Sequence, residues 1–422
     1  MVTMEQGHSR SGEIARKVFA CRACDSPGTT VLLDLGRLPL ANAFVKSPSD
    51  DDDLFRESLT LVMCDLCHLI QIRDEVPRER LYSSFLWVTA TSQTTKDYAR
   101  WFSARLKEQY QQKAGRFLVE IASNDGFFLE HYRENGFDIL GVDPSDLAED
   151  AARRGLPSLR DFFGKAVADS IVQERGRADV IVARNVLGHV DQLQDLVAGM
   201  EHLLAEGGVC LIESPYAYFL RNETQYDTIF HEHVSYLTVG SVSNLMARFN
   251  MKLTDITFVP MNGGSFLFEI MHQSSAVGRG DQTMIDFEEI IALNKPSGWK
   301  DFADAVANQR EMLVSLLRDL AAKGKKVVGY GAAAKSMTML NFCGITTDLL
   351  RQIGDANPRK QGLLCPGVRI PVVSPDELMK CDPDYIMIGA WNFKDEIIRF
   401  FKEKMGYRNK FIVPLPLPKI LN

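Results

Sequence analysis

LVEIASNDGFFLEHY, from Leu118 to Tyr132, is the stretch that decides the fold. Leu118, Val119, Ile121 and Ala122 make a short run of small or branched apolar residues, the pattern of a buried strand. Ser123-Asn124-Asp125-Gly126 breaks the run, and Phe127, Phe128, Leu129 and Tyr132 resume at helical spacing. Strand, polar turn and helix together predict the first βα unit of a doubly wound α/β sheet. The ligand of such a sheet lies over the carboxyl ends of its strands. The turn contains one glycine, Gly126, and two carboxylates are within reach, Glu120 and Asp125. A phosphate cradle calls for more glycine and less negative charge. A cationic ligand such as a sulfonium suits the turn better.

Downstream residues supply further contacts. FDILGVDPS (Phe137 to Ser145) reads as a second strand that stops at Asp143, where an acid binds a ribose diol in this architecture. Asp161, Phe162 and Phe163 offer a carboxylate and aromatic faces for an adenine ring. The strand ADVIVARNVLGHV ends at Asn185, with His189 beyond it. Together Glu120, Ser123, Asn124, Asp125, Gly126, Asp143, Asp161, Phe162 and Asn185 read as a site for S-adenosyl-L-methionine. A Rossmann-type domain binding NAD is the rival for this segment, because such folds are shared by many functions.

The 422 residues are enough for two or three domains, each with its own core. A net charge of −7 with 24% charged residues argues against nucleic acid as a partner. No apolar run approaches the ~20 residues of a membrane span, and the polar start lacks a signal-peptide core. A cytoplasmic location is expected.

Four of the eight cysteines fall into two C-x-x-C knuckles, Cys21/Cys24 and Cys64/Cys67. In a reducing compartment two such knuckles predict a closed, tetrahedral, structural zinc site with thiolates in all four positions. His68 would be a fifth ligand and is left out. The acidic run Asp50 to Asp53 between the knuckles is expected to be a solvated loop. After Pro77, Tyr82, Trp87 and Thr89 to Thr95 make either a lid over the ligand or ordinary packing.

QYDTIFHEHVSYLT (Gln225 to Thr238) carries the densest chemistry. His231, Glu232 and His233 are consecutive, unlike the i, i+4 histidines of an H-E-x-x-H metal helix. Consecutive residues point in different directions, so one or two of them face a pocket and are candidates for proton transfer. A small-residue linker from Ser274 precedes a helix predicted over roughly Trp299 to Lys323. A second α/β unit follows, with the glycine turn KKVVGYGAAAKS and a strand ending at Asp355. Its single G-x-G (Gly329, Gly331) and helix start suit either a phosphate or the nucleotide part of a substrate. The expected organisation is a zinc-binding module over 1–75, a Rossmann-like methyltransferase domain over 76–273 and a C-terminal α/β domain over 284–422.

The paired knuckles, the EIASNDG turn, the DTIFHEHVSY stretch and the GYGAAAKS…DANPRKQG tail resemble the zinc-containing sugar C-methyltransferases of deoxysugar biosynthesis. The likeness runs in order along essentially the whole chain. It implies an S-adenosyl-L-methionine-dependent enzyme acting on a nucleotide-linked 4-keto-6-deoxysugar held between the middle and C-terminal domains. It also implies His233 as the base, with Glu232, His189 and His231 as the other catalytic candidates. Tyr226, Lys335 and Ser336 are the expected substrate contacts. O- or N-methylation of another small molecule, or a silent binding protein on the same fold, are the alternatives.

Overall fold

A computed structural model of the chain describes residues 19–81, 93–110, 115–276, 278, 280 and 282–422. The segment 82–92, with Tyr82, Trp87 and most of the expected lid, lies outside the described residues. The N-terminal module is built on β1 (Thr29–Pro39), β2 (Arg56–Cys64) and β3 (Ile70–Ile72), successively antiparallel. The second cysteine knuckle is the turn between β2 and β3, so the sulfur cluster sits at the end of the hairpin.

The middle of the chain contributes β4 (Phe117–Ile121), β5 (Asp138–Val142), β6 (Ser158–Leu159), β7 (Ala178–Arg184) and β8 (Leu204–Pro215), all parallel. After β9 (Ser235–Tyr236), β10 (Met251–Val259) and β11 (Ser265–His272) add an antiparallel hairpin to β8. The spatial order is β10-β11-β8-β7-β4-β5-β6. Strand order reverses between β4 and β7, which places the ligand crevice of a doubly wound sheet beyond the turn at Ser123 to Gly126. Helices Gln93–Tyr110 and Phe127–Glu134 cover one face, burying Phe102, Phe128 and Tyr132 against Leu118, Val180 and Val182. Each such aromatic contributes about 1.5–3 kcal/mol by leaving water.

β9 does not join this sheet. It pairs antiparallel with β3, Ile70 opposite Tyr236 and Gln71 opposite Ser235, and completes the N-terminal sheet. A two-residue strand gives no periodic signal in sequence. Its pairing partner is more than 160 residues away in the chain.

After helix Phe302–Ala322, the C-terminal unit lays out β12 (Val327–Tyr330), β13 (Ile353–Gly354), β14 (Val372–Val373), β15 (Tyr385–Ile388), β16 (Lys410–Val413) and β17 (Lys419–Leu421). The order is β14-β13-β12-β15-β16-β17, parallel except for β17. One buried apolar cluster runs from Leu61 and Ile72 through Phe230 and Tyr236 to Leu317, Val327 and Met387, joining all three parts of the chain. Among the described residues no helix is long and apolar enough to cross a membrane.

The acidic run departs from the solvated loop expected of it. Residues Pro48–Asp52 form a short helix capped by Ser47, and Asp51 is 1% exposed. Its carboxylate accepts from the Gly367 backbone N–H at 2.5 Å, from Arg369 Nε at 3.0 Å and from Arg56 at 3.4 Å. Arg369 also pairs with Asp52. A charge run reads as solvated because charged groups shun the interior, but a carboxylate is buried readily when donors surround it. Asp51→Ala is expected to lower the stability by about 1–3 kcal/mol, the cost of donors left without their acceptor. Asp53→Ala, exposed at the end of the same helix, should be near neutral when both are compared by denaturant titration.

Candidate active site

The turn after β4 is held in an unusual backbone conformation. Ala122, Asn124 and Gly126 have φ of 57°, 52° and 72°, and such left-handed residues concentrate at ligand sites. The Asp143 carboxylate at the end of β5 accepts from Asn124 N–H at 2.9 Å and from the Ser145 N–H and hydroxyl. It therefore fixes the turn as well as facing the crevice. A Cβ at Gly141 would lie 2.5 Å from Ser123 Oγ, so glycine there lets the turn sit against β5. The Ser123 hydroxyl is buried with no hydrogen-bond partner among the described residues, and it is a polar group to which a ligand in the crevice can bond.

Behind the turn, Arg184 of β7 pairs with Glu120 of β4 at 2.8 Å. Tyr98 donates to Glu213 of β8 at 2.7 Å. Burial pushes the Glu120 carboxyl up to about 7, and the Arg184 guanidinium works against that rise. One guanidinium between two carboxylates leaves no surplus positive charge for a pyrophosphate, whereas a sulfonium fits such a site. The side chain of Asn185, itself at φ 55°, is bridged by Asn262 Nδ2 at 3.1 Å. The 261–264 turn thus closes over the end of β7.

His231, Glu232 and His233 form a turn and point three ways. His231 Nε2 meets the Glu57 carbonyl of β2 at 3.2 Å, so that ring faces the N-terminal module. Glu232 is 1% exposed and its Oε1 accepts from Asn42 Nδ2 at 3.0 Å. His233 Nδ1 lies 2.9 Å from the Thr228 carbonyl. A carbonyl only accepts, so Nδ1 carries the proton and the lone pair is on Nε2. Phe230 lies against the ring at 3.8 Å between centroids, and His189 meets it edge-on at 4.5 Å. Val234 N–H and Ser235 N–H both donate to the Gly188 carbonyl, which brings the two histidines together. Burial holds His233 well below the usual imidazole value, with His189 adding to the effect, and burial takes His189 down to about 4. Both rings are neutral at neutral pH. Burial pushes Glu232 up to about 7, against the pull of Asn42.

The C-terminal unit walls this region. Thr338 donates to the Ile229 carbonyl at 3.0 Å. Trp391 Nε1 donates to Asp227 at 2.7 Å, and Lys335 lies over the Trp391 ring while reaching Asn392 at 3.1 Å. Burial lowers Lys335, and the nearby Asp227 carboxylate opposes the shift. The glycine turn after β12 is more occupied than a phosphate cradle would be. Asp355 accepts the Ala332 N–H at 2.8 Å, and a Cβ at Gly331 would meet Ala390 at 2.9 Å. Ser336, 1% exposed, donates to the Gly331 carbonyl and serves the turn. Tyr226 is fully buried with its hydroxyl on Gln309.

At the far end of the N-terminal sheet, the sulfurs of Cys21, Cys24, Cys64 and Cys67 all lie within 4.8 Å of one another. Four thiolates on a tetrahedral zinc at Zn–S of ~2.3 Å stand about 3.8 Å apart, so the set fits a closed Zn2+ site. Gln71 Nε2 and Leu66 N–H donate to Cys21 and Cys64 sulfurs at 3.1 and 3.4 Å, the outer support such thiolates need.

Comparison with known proteins agrees with this geometry. A family described as a zinc binding domain matches residues 21–82, one described as a methyltransferase domain matches 91–256, and one described as a C-methyltransferase C-terminal domain matches 260–416. C-methyltransferase NovU of Streptomyces niveus is 30% identical over 420 residues, covering 97% of this chain and 98% of that protein. The chain belongs to the family of zinc-containing C-methyltransferases. It is an S-adenosyl-L-methionine-dependent enzyme with a zinc-binding module. Among solved structures, an S-adenosylmethionine-dependent methyltransferase from Clostridium acetobutylicum is 13% identical, covers 42% of this chain and 91% of its own, and has a TM-score of 0.33. Magnesium protoporphyrin IX methyltransferase from Synechocystis, with S-adenosylhomocysteine bound, is 11% identical over 46% and 91% at a TM-score of 0.33. Likeness at that level decides nothing about the chemistry.

In this C-methyltransferase the turn residues Ser123 to Gly126 and Asp143 come together at one end of the sheet, with Asn185 just after the neighbouring β7. Asp161 and Phe162 lie exposed beyond β6, where the Phe162 ring carries the Arg78 guanidinium. Asn42, Asn262, Trp391 and Arg184 went unsuspected in sequence, because each acts through a partner far away in the chain. A purified chain is expected to contain one zinc by metal analysis. Cys64→Ser should lose it and lower the denaturation midpoint, since metal binding is coupled to folding of such modules.

Proposed function

We propose that the chain transfers a methyl group to carbon beside the ketone of a nucleotide-linked keto-deoxysugar, with His233 as the general base. The observation that carries the reading is the His233 ring, neutral, half-buried, and turned by the Thr228 carbonyl so that Nε2 holds its lone pair. Carbon beside a carbonyl becomes nucleophilic only after deprotonation, so the site needs a base and a donor for the developing enolate oxygen. His233 Nε2 takes the proton. Glu232, raised to about 7, keeps enough of its acid form to donate to that oxygen, with His189 beside it. The region between Asp227, Lys335 and Trp391 takes the sugar nucleotide, the Lys335 ammonium facing its negative charge. S-adenosyl-L-methionine, held by Ser123 to Gly126 and Asp143, supplies when bound the electrophilic methyl group that the enolate carbon accepts. The zinc supports the N-terminal module.

His233→Asn should leave both ligands bound and cut turnover by about 10²–10⁴, the usual share of a positioned proton-transfer group. The acidic C–H of a nucleotide-linked 4-keto-6-deoxysugar should exchange in deuterated solvent with the wild type and not with this variant. Near-normal turnover by His233→Asn overturns the assignment. Methyl found on oxygen or nitrogen by mass spectrometry overturns the enolate route. Asp143→Ala should weaken S-adenosyl-L-methionine binding about tenfold by calorimetry, the scale of one charge-assisted hydrogen bond. Turnover should fall as pH rises through about 7, where Glu232 gives up the proton it donates.

A further inference from the structure

Among the described residues, the acid beside the base is gripped by a group from a different part of the chain. Asn42 belongs to the loop that leaves β1 in the zinc-binding module, 190 positions before Glu232, and its Nδ2 is 3.0 Å from Glu232 Oε1. Glu232 Oε2 is buried and has no hydrogen-bond partner among the described residues. An amide N–H needs an acceptor, so whenever Glu232 carries its proton the place for it is Oε2, the oxygen that Asn42 leaves without a partner.

We propose that Asn42 is a positioning residue that fixes the Glu232 proton on Oε2, so that the zinc-binding module forms part of the proton-transfer apparatus. The proposal rests on the reading of Glu232 as the donor given above. Two contacts hold the asparagine loop in place. Val45 pairs with Leu364 across the cleft to the C-terminal unit, and Asp51 is clasped by Arg369 and Gly367. Among the described residues, the other titratable groups near Glu232 are Tyr236 from β9, His189, whose ring meets the Glu232 backbone, and its chain neighbours His231 and His233, whose rings turn away to Glu57 and Thr228. None of these is a cation at neutral pH, since burial lowers all three histidines and raises the tyrosine. The Asn42 amide is therefore the side chain that tempers the rise burial imposes on Glu232, with the Glu232 backbone N–H adding to it. The arrangement separates two jobs: one oxygen is tied to the module, and the other is left to a ligand.

The test uses the full-length, zinc-loaded chain. Losing a donor that favours the ionised form should raise the pH at which Glu232 titrates by about one unit. This should appear in the carboxyl resonance of carbon-13 glutamate-labelled protein, assigned by its loss in Glu232→Gln. Asn42→Ala should show that rise, and Asn42→Asp, of the same shape but carrying a carboxyl, a larger one. The alkaline limb of turnover with a nucleotide-linked 4-keto-6-deoxysugar should move up with it, while turnover at the plateau falls at least several-fold. Asn42→Asp keeps the shape of the side chain, so it decides the matter should Asn42→Ala lose zinc or fail to fold. A Glu232 resonance and an alkaline limb unmoved in a folded, zinc-loaded Asn42 variant overturn the proposal while leaving the Glu232 reading intact. An alkaline limb that survives in Glu232→Gln overturns the Glu232 reading itself, and the role of Asn42 with it.

Discussion

Two residue pairs hold the rest in register: Ile70 opposite Tyr236 and Gln71 opposite Ser235. Through them the strand after the second cysteine knuckle captures the strand that follows the two histidines, and the Ile72 N–H adds a bond to the Val234 carbonyl. A one-residue slip would send every side chain of β9 to the opposite face, so this pairing sets where His233 points. Gln71 is tied at its other end to the sulfur cluster. Its amide donates to Cys21 Sγ at 3.1 Å while its oxygen accepts from Arg22. The position of the sulfur cluster and the position of the strand that follows His233 are thus linked by a single glutamine.

Around that anchor the interior is divided by charge. On one side, beneath the turn that opens the helix at Phe127, an arginine lies between two carboxylates, with Tyr98 completing the set. On the other, two histidines are kept neutral and a glutamic acid is poised near neutrality, with nearby hydrogen bonds made by amides, hydroxyls and backbone. Burial would be costly for lone charges, and it is the burial itself that favours the uncharged forms of these groups.

The parallel strands were legible because each is an apolar run ended by polar turn residues, as at Ile121 and Val142. The cysteine knuckles were legible because their spacing is set by metal geometry. Legibility failed where position depends on distant partners. β9 is two residues long, too short for any period, and Asp51 was disguised by its exposed acidic neighbours. The HEH triplet announced titratable chemistry but not direction: only the fold turns His231 to Glu57 and His233 to Thr228. The bond from the Ser336 hydroxyl to the Gly331 carbonyl was likewise not legible, because it depends on how the turn folds back on the helix.

The clasp of Asp51 on Arg369 joins the first part of the chain to the last. With β3 holding β9, and Thr338 holding the stretch before it, the three parts touch pairwise and the chain closes on itself like a ring of three links. A hinge between any two parts of such a ring cannot swing without stretching a contact made by the third. A displacement of any one part is then shared by all three.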